Sequence, residues 1–136
     1  MMKKIIVSGL VAGIVMLILS VLGLYITIWF FPGLAGQYFD PEFDMQSSKV
    51  MIYCIHPFII SFALSLFWSR VKGMLKGSFI TRGIEFGLIY TLVATFPTMW
   101  LIYSAMNISL EMVATWFVFG LLQGIVSGLI FEKMNP

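Results

Sequence analysis

Four long runs of apolar residues, separated by short polar segments, set the pattern of this chain. The first extends from Ile5 to Phe31 and is closed by Pro32-Gly33. The second covers about Val50 to Ser69, the third about Phe79 to Ser104, and the fourth about Leu110 to Phe131. A helix crossing the hydrocarbon of a bilayer needs about 20 apolar residues, and each run meets that length. A membrane β-barrel is built instead from segments of about ten residues with alternating polarity, and these runs are too long and too uniform for that. The predicted fold is therefore all-α: one domain over residues 1–136, a polytopic bundle of four transmembrane helices. Lys3 and Lys4 ahead of the first run superficially resemble a secretion signal. The apolar core of such a signal is about 7–15 residues, so the longer run is read as an uncleaved first span.

The polar segments differ in charge, and the difference orients the bundle. The first connection carries Asp40, Glu42 and Asp44 against Lys49. The second carries Arg70, Lys72, Lys76 and Arg82 without an acid, and the third is very short. Short cytoplasmic loops retain lysine and arginine. Lys3, Lys4, Arg70, Lys72, Lys76, Arg82 and Lys133 fall on one side, seven residues against Lys49 alone on the other. Both termini and the second loop are thus expected in the cytoplasm, and the acidic loop outside. Trp29, Phe30, Phe31, Tyr38, Trp100 and Tyr103 are expected near the outer boundary and Trp68 near the inner one, where amphipathic rings are favoured.

Composition fits that frame. The chain is 60% hydrophobic and 10% charged, with a mean hydropathy of +1.01. Too few polar side chains remain to cover a water-facing surface, and a cell-membrane location is expected. One cysteine, Cys54, leaves no internal disulfide. No basic tract interleaved with aromatics suggests a nucleic-acid partner; the lipid bilayer is the expected surrounding.

Lipid tails compete for leucine as well as a neighbouring helix does, so small residues that let backbones approach are the expected packing devices. Gly120, Gly124 and Gly128 recur every four residues in the fourth span. Gly9, Gly13, Ser20 and Thr27 mark the first; Cys54, Ser61, Ser65 and Ser69 the second; Gly83, Gly87, Thr91, Ala94 and Thr98 the third. These stripes predict a compact bundle, and the doubled glycine motif of the fourth span suggests a face for self-association. Pro57 and Pro97 predict kinks, either as packing adjustments or as the rim of a shallow outward cavity.

Ionisable groups inside a membrane are costly and mark candidate sites. Glu85 lies about two turns into the third span, and Arg82, three residues earlier, is within reach on a helix surface. The pair reads either as a snorkelling ion pair or, with Gln123 or Ser127 at comparable depth, as a coupling site for protons or cations; an intersubunit contact is a third option. His56 lies about two turns from the outer end of the second span, with Cys54, Met51, Met99, Met106 and Met112 near it in depth. Soft sulfur with imidazole suits copper(I), but Cys54 and His56 point to different faces of one helix, so no metal or haem site is expected. Asp40, Glu42, Asp44 and Glu111 read as a solvated outer face, and Asn107-Ile-Ser109, a glycosylation acceptor by pattern, sits too close to the membrane.

No phosphate cradle, nucleophile elbow or His-Glu metal motif occurs. The expectation is a non-enzymatic accessory or structural subunit, a homo-oligomer or part of a larger membrane complex, without a cofactor. The alternative is a small channel or transporter using Glu85, with His56 and Gln123 as further coupling candidates.

Overall fold

In hydrocarbon a backbone has no water to bond to, and a helix satisfies its polar groups internally; apolar runs of this length suit that structure. The computed structural model describes residues 2–38 and 47–136. Among them the elements are α1 (Met2–Phe30), α2 (Pro32–Tyr38), α3 (Ser47–Val71), α4 (Phe79–Tyr90), a π turn (Thr91–Thr95), α5 (Phe96–Ala105) and α6 (Leu110–Met134). Four helices, counting α4 through α5 as one, are long and apolar enough to cross a membrane. Asp40, Glu42 and Asp44 lie outside the described residues.

Helix ends follow local chemistry. Pro32 stops α1 and, at the first position of α2, needs no backbone N–H and fits the helical φ. Gly77 has φ +111°, a conformation that side chains with a Cβ resist, and it turns the chain into α4. Ser78 and Ser109 cap α4 and α6, their hydroxyls accepting from Thr81 N and Met112 N at 3.4 and 3.2 Å. Glu111 in the first turn of α6 and Lys133 in its last complement the helix dipole.

The expected kink at Pro97 takes a specific form. Proline lacks the N–H that would bond the carbonyl of Val93, and its ring crowds that carbonyl. The helix relaxes by opening into the π turn just before it, where Phe96 N–H reaches Thr91 O. Pro57 is buried within an uninterrupted α3. A cleft among the described residues is not rimmed by these prolines. It lies where α1 meets α2, lined by Phe31, Gly33, Leu34, Glu111 and Thr115.

α1 packs along α3, α4 along α6, and α1 against α6 joins the two pairs. The glycines sit in those seams. A Cβ on Gly87 would lie 2.5 Å from Ile125 N and 2.8 Å from Gly124 C; one on Gly83 would lie 2.9 Å from Leu129 N, and one on Gly128 would strike the Gly83 carbonyl. The α4–α6 seam is thus backbone against backbone. Gly120 abuts Thr95. Gly9 and Gly13 receive the rings of Phe62 and Phe58, and Gly23 that of Phe119. Gly120, Gly124 and Gly128 thus face α4 and the π turn of the same chain.

The hydrophobic core gathers Ala12, Leu64, Trp68, Leu75, Phe86 and Phe131. Trp68 and Phe86 meet edge to face at 5.1 Å, and Phe86 meets Phe131 at 6.0 Å in the same manner, a geometry that aligns ring edge with ring face. Trp68 is fully buried, its indole taken up by this core. Trp29, Phe30, Trp100 and Tyr103 are exposed.

Candidate functional site

Polar groups collect at four levels of the bundle, built by residues from different helices. At the end that carries the α3–α4 loop, Arg82 donates from Nη1 to Glu132 Oε1 at 2.6 Å, linking α4 to α6. Its Nη2 donates to the backbone oxygen of Lys72 at 2.9 Å, and its guanidinium stands 5.8 Å from the centre of the Trp68 ring, within cation–π range. Trp68 Nε1 donates to Asn135 O at 2.9 Å, and Lys72 Nζ to Asn135 Oδ1 at 3.0 Å. Glu132 and Asn135 are buried. This clasp ties α3, the α3–α4 loop, α4 and the end of α6 into one unit, and we call this the basic end.

A second level joins α1 to α3. Ser65 Oγ donates to Ile5 O at 2.8 Å and shares a hydrogen bond with Ser8 Oγ, also 2.8 Å. Both serines are fully buried. Ser65 sits one turn from the clasp, and its hydroxyl takes up a carbonyl already bonded within α1. Farther along, Gln123 Nε2 donates to Ser20 Oγ at 2.9 Å and lies 3.5 Å from Met16 O, bridging α6 to α1.

The opposite end is held by side chains of α2. Ser109 Oγ donates to Gln37 Oε1 and Trp116 Nε1 donates to Tyr38 Oη, both at 2.6 Å. Burial raises the Tyr38 phenol above its usual value; the Trp116 bond opposes that shift and Tyr53 adds to it.

The three candidate coupling residues do not share a site. Gln123 is half-buried and engaged with Ser20, whereas Glu85 and His56 are exposed. Among the described residues neither Glu85 nor His56 has a hydrogen bond or an ion pair. The expected Arg82–Glu85 pair is a correction: Arg82 turns inward to Glu132, because Gly83 and Gly87 put α6 on one side of α4 and leave Glu85 on the other. Glu132 was not singled out by the sequence, since it sits just past the last apolar run beside Lys133. Its depth beside Arg82 emerges once α4 and α6 are paired. Cys54 is partly buried. Among the described residues no group of three or more His, Cys, Asp or Glu side chains converges. No protein family model, no curated protein and no solved structure matches this chain significantly.

Proposed function

We propose that this is an integral membrane protein of the cell membrane, with both termini and the Arg70–Arg82 segment in the cytoplasm, acting without catalysis as an accessory or self-associating subunit. The observation that carries the reading is the division of labour between inside and outside. Small residues and hydroxyls fill the seams between helices, and the polar groups Gln123, Ser20, Ser8 and Ser65 bond to one another. The exterior is apolar along the length of the bundle: Leu88, Leu92, Val93, Trp100 and Leu101 are exposed on α4 through α5, and Ile14, Ile18 and Leu22 on α1. Such a surface suits lipid and other helices, and apolar area this large does not persist on a water-soluble monomer. Orientation follows from the basic end, which gathers Lys3, Lys4, Arg70, Lys72 and Lys76, the charges retained on the cytoplasmic side.

Native mass spectrometry after extraction in a mild detergent tests the assembly part. The account expects more than one copy, or a second membrane protein, per particle. A strictly monomeric particle across detergents, with no protein copurifying from native membranes, would overturn it.

A further inference from the structure

We infer that the α1–α3 seam at the basic end binds the phosphate headgroup of an anionic membrane lipid, held between Lys3, Lys4 and Arg70. The inference rests on the membrane reading above and names one lipid-contacting surface of the bundle.

Contacts along the seam bring these three cations together. Ser8 Oγ and Ser65 Oγ meet at 2.8 Å. One turn from that contact toward the basic end stand Lys4 on α1 and Ser69 on α3, each on the same helix face as its serine. A Cβ on Gly9 would lie 3.4 Å from Phe62 Cα, so Phe62 lies over Gly9. Two turns from there in the same direction, α3 reaches Arg70 and α1 reaches Met2, beside Lys3. The two helices are antiparallel, so these steps match at about 11 Å each. Lys3, Lys4 and Arg70 are exposed and, among the described residues, have no hydrogen bond or ion pair.

No acid among the described residues reaches this cluster. Glu132 is bound to Arg82, and Glu111 stands at the opposite end, in the first turn of α6. Glu85 is level with about Ser127, because Gly83 and Gly87 abut Leu129 and Ile125. The Gln123–Ser20 bond and the Gly23–Phe119 contact put Ser127 level with about Met16 of α1, roughly 18 Å along the axis from Lys4. Neighbouring like charges repel one another, and a phosphodiester placed among them relieves that repulsion. The Arg70 guanidinium can give such a group two parallel hydrogen bonds.

The surface next to the cations suits the rest of a lipid. Ile6 and Leu10 on α1 and Phe62 and Leu66 on α3 are exposed, and they follow the seam from the cations toward the middle of the bundle. That apolar track fits an acyl chain whose headgroup sits at the basic end, where clustered lysine and arginine recognise anionic lipid.

The test is lipid binding to the purified protein in a mild detergent, measured by native mass spectrometry as phosphatidylglycerol or phosphatidylcholine is titrated in. Both carry the phosphodiester, and only the first is net negative. Wild type is expected to bind phosphatidylglycerol about tenfold more tightly or better. Arg70→Gln is expected to weaken that binding about fivefold, and Lys3→Gln, Lys4→Gln and Arg70→Gln combined about a hundredfold. Lys133→Gln removes the same charge one turn from Leu129, on the side of α6 that abuts Gly83, and is expected to leave the affinity unchanged. Retention of helical circular dichroism by each variant shows that the bundle is intact. Undiminished binding by the triple variant, or an equal loss in Lys133→Gln, would overturn the site. Equal binding of the two lipids would overturn its selectivity for an anionic headgroup. Displacement of the lipid by inorganic phosphate at the same concentration would overturn a lipid as the occupant. A wild-type chain that stays monodisperse without detergent or lipid would overturn the underlying membrane reading instead.

Discussion

Substituting Gly87 by alanine probes the α4–α6 seam most sharply. The added methyl would lie 2.5 Å from Ile125 N, 2.6 Å from Ile125 Cα and 2.8 Å from Gly124 C. Attractive contacts between such atoms are centred at about 3.5–4.0 Å, so the shortfall is about 1 Å. All three obstacles are backbone, and no rotamer change relieves them. The helices must part instead, and a gap of about 0.5–1 Å forfeits about a quarter to a half of each contact's attraction along the seam. Overpacking of this kind costs about 1–3 kcal/mol, against a helix-propensity gain of up to about 1 kcal/mol for alanine over glycine. The expected net loss is about 1–2 kcal/mol. The control is Gly36→Ala, where nothing lies within 4 Å of the new carbon; it is expected to be neutral or slightly stabilising. Reversible unfolding of the purified protein in mixed micelles, followed by circular dichroism, measures both. Equal stability of Gly87→Ala and Gly36→Ala would refute the reasoning that this seam is built on backbone contact.

Other consequences follow from the polar levels. Glu132→Gln breaks the clasp at Arg82; a fully buried broken pair costs about 3–5 kcal/mol, and the side-chain exposures of 20% for Arg82 and 8% for Glu132 scale that to about 1–3 kcal/mol. A double-mutant cycle with Arg82→Gln should return a coupling of at least about 0.5 kcal/mol, and strict additivity would deny the pair. Ser65→Ala removes the bonds to Ile5 O and Ser8 Oγ, each worth about 0.6 kcal/mol and at most about 1.7 kcal/mol in the same unfolding assay; a loss beyond what the two bonds allow would point to a further role. Tyr38 favours its neutral form in the folded state, so its stabilising contribution is intact below pH ~10 and is lost as pH rises past that value. The tyrosinate absorbance difference between wild type and Tyr38→Phe should therefore appear at higher pH than for a free phenol, and ionisation at or below the free value would contradict its burial.

Apolar length was enough to find the four long helices, because the hydrocarbon requirement acts on each run separately. Their ends were less legible. α1 includes Lys3 and Lys4, and α6 continues through Glu132 and Lys133 to Met134, since backbone hydrogen bonding carries a helix past the point where its side chains turn polar. Pro32 announced the end of α1 but also begins α2, for proline suits both roles. Pro97 signalled a distortion, yet only the structure shows it absorbed as a π turn. The stripes of small residues announced tight seams without saying which helix fills which. Gly124 could face another copy or its own chain, and its neighbours Gly87 and Tyr90 are known only once α4 is seen beside it. The same limit hid the Arg82–Glu132 clasp: residues fifty positions apart reveal their common depth only after the helices are paired, and the nearer Glu85 was the natural but incorrect mate for Arg82.

Sidedness decides whether the arrangement proposed here holds. In a chain with Cys54 replaced by serine, single cysteines placed at Gly36 and at Gly73, both of which stand in open space, can be reacted with a membrane-impermeant maleimide on intact cells. Labelling of the position-36 cysteine from outside, with position 73 reacting only after permeabilisation, is the expected result. Labelling of position 73 on intact cells, or of both positions from the same side, would contradict it.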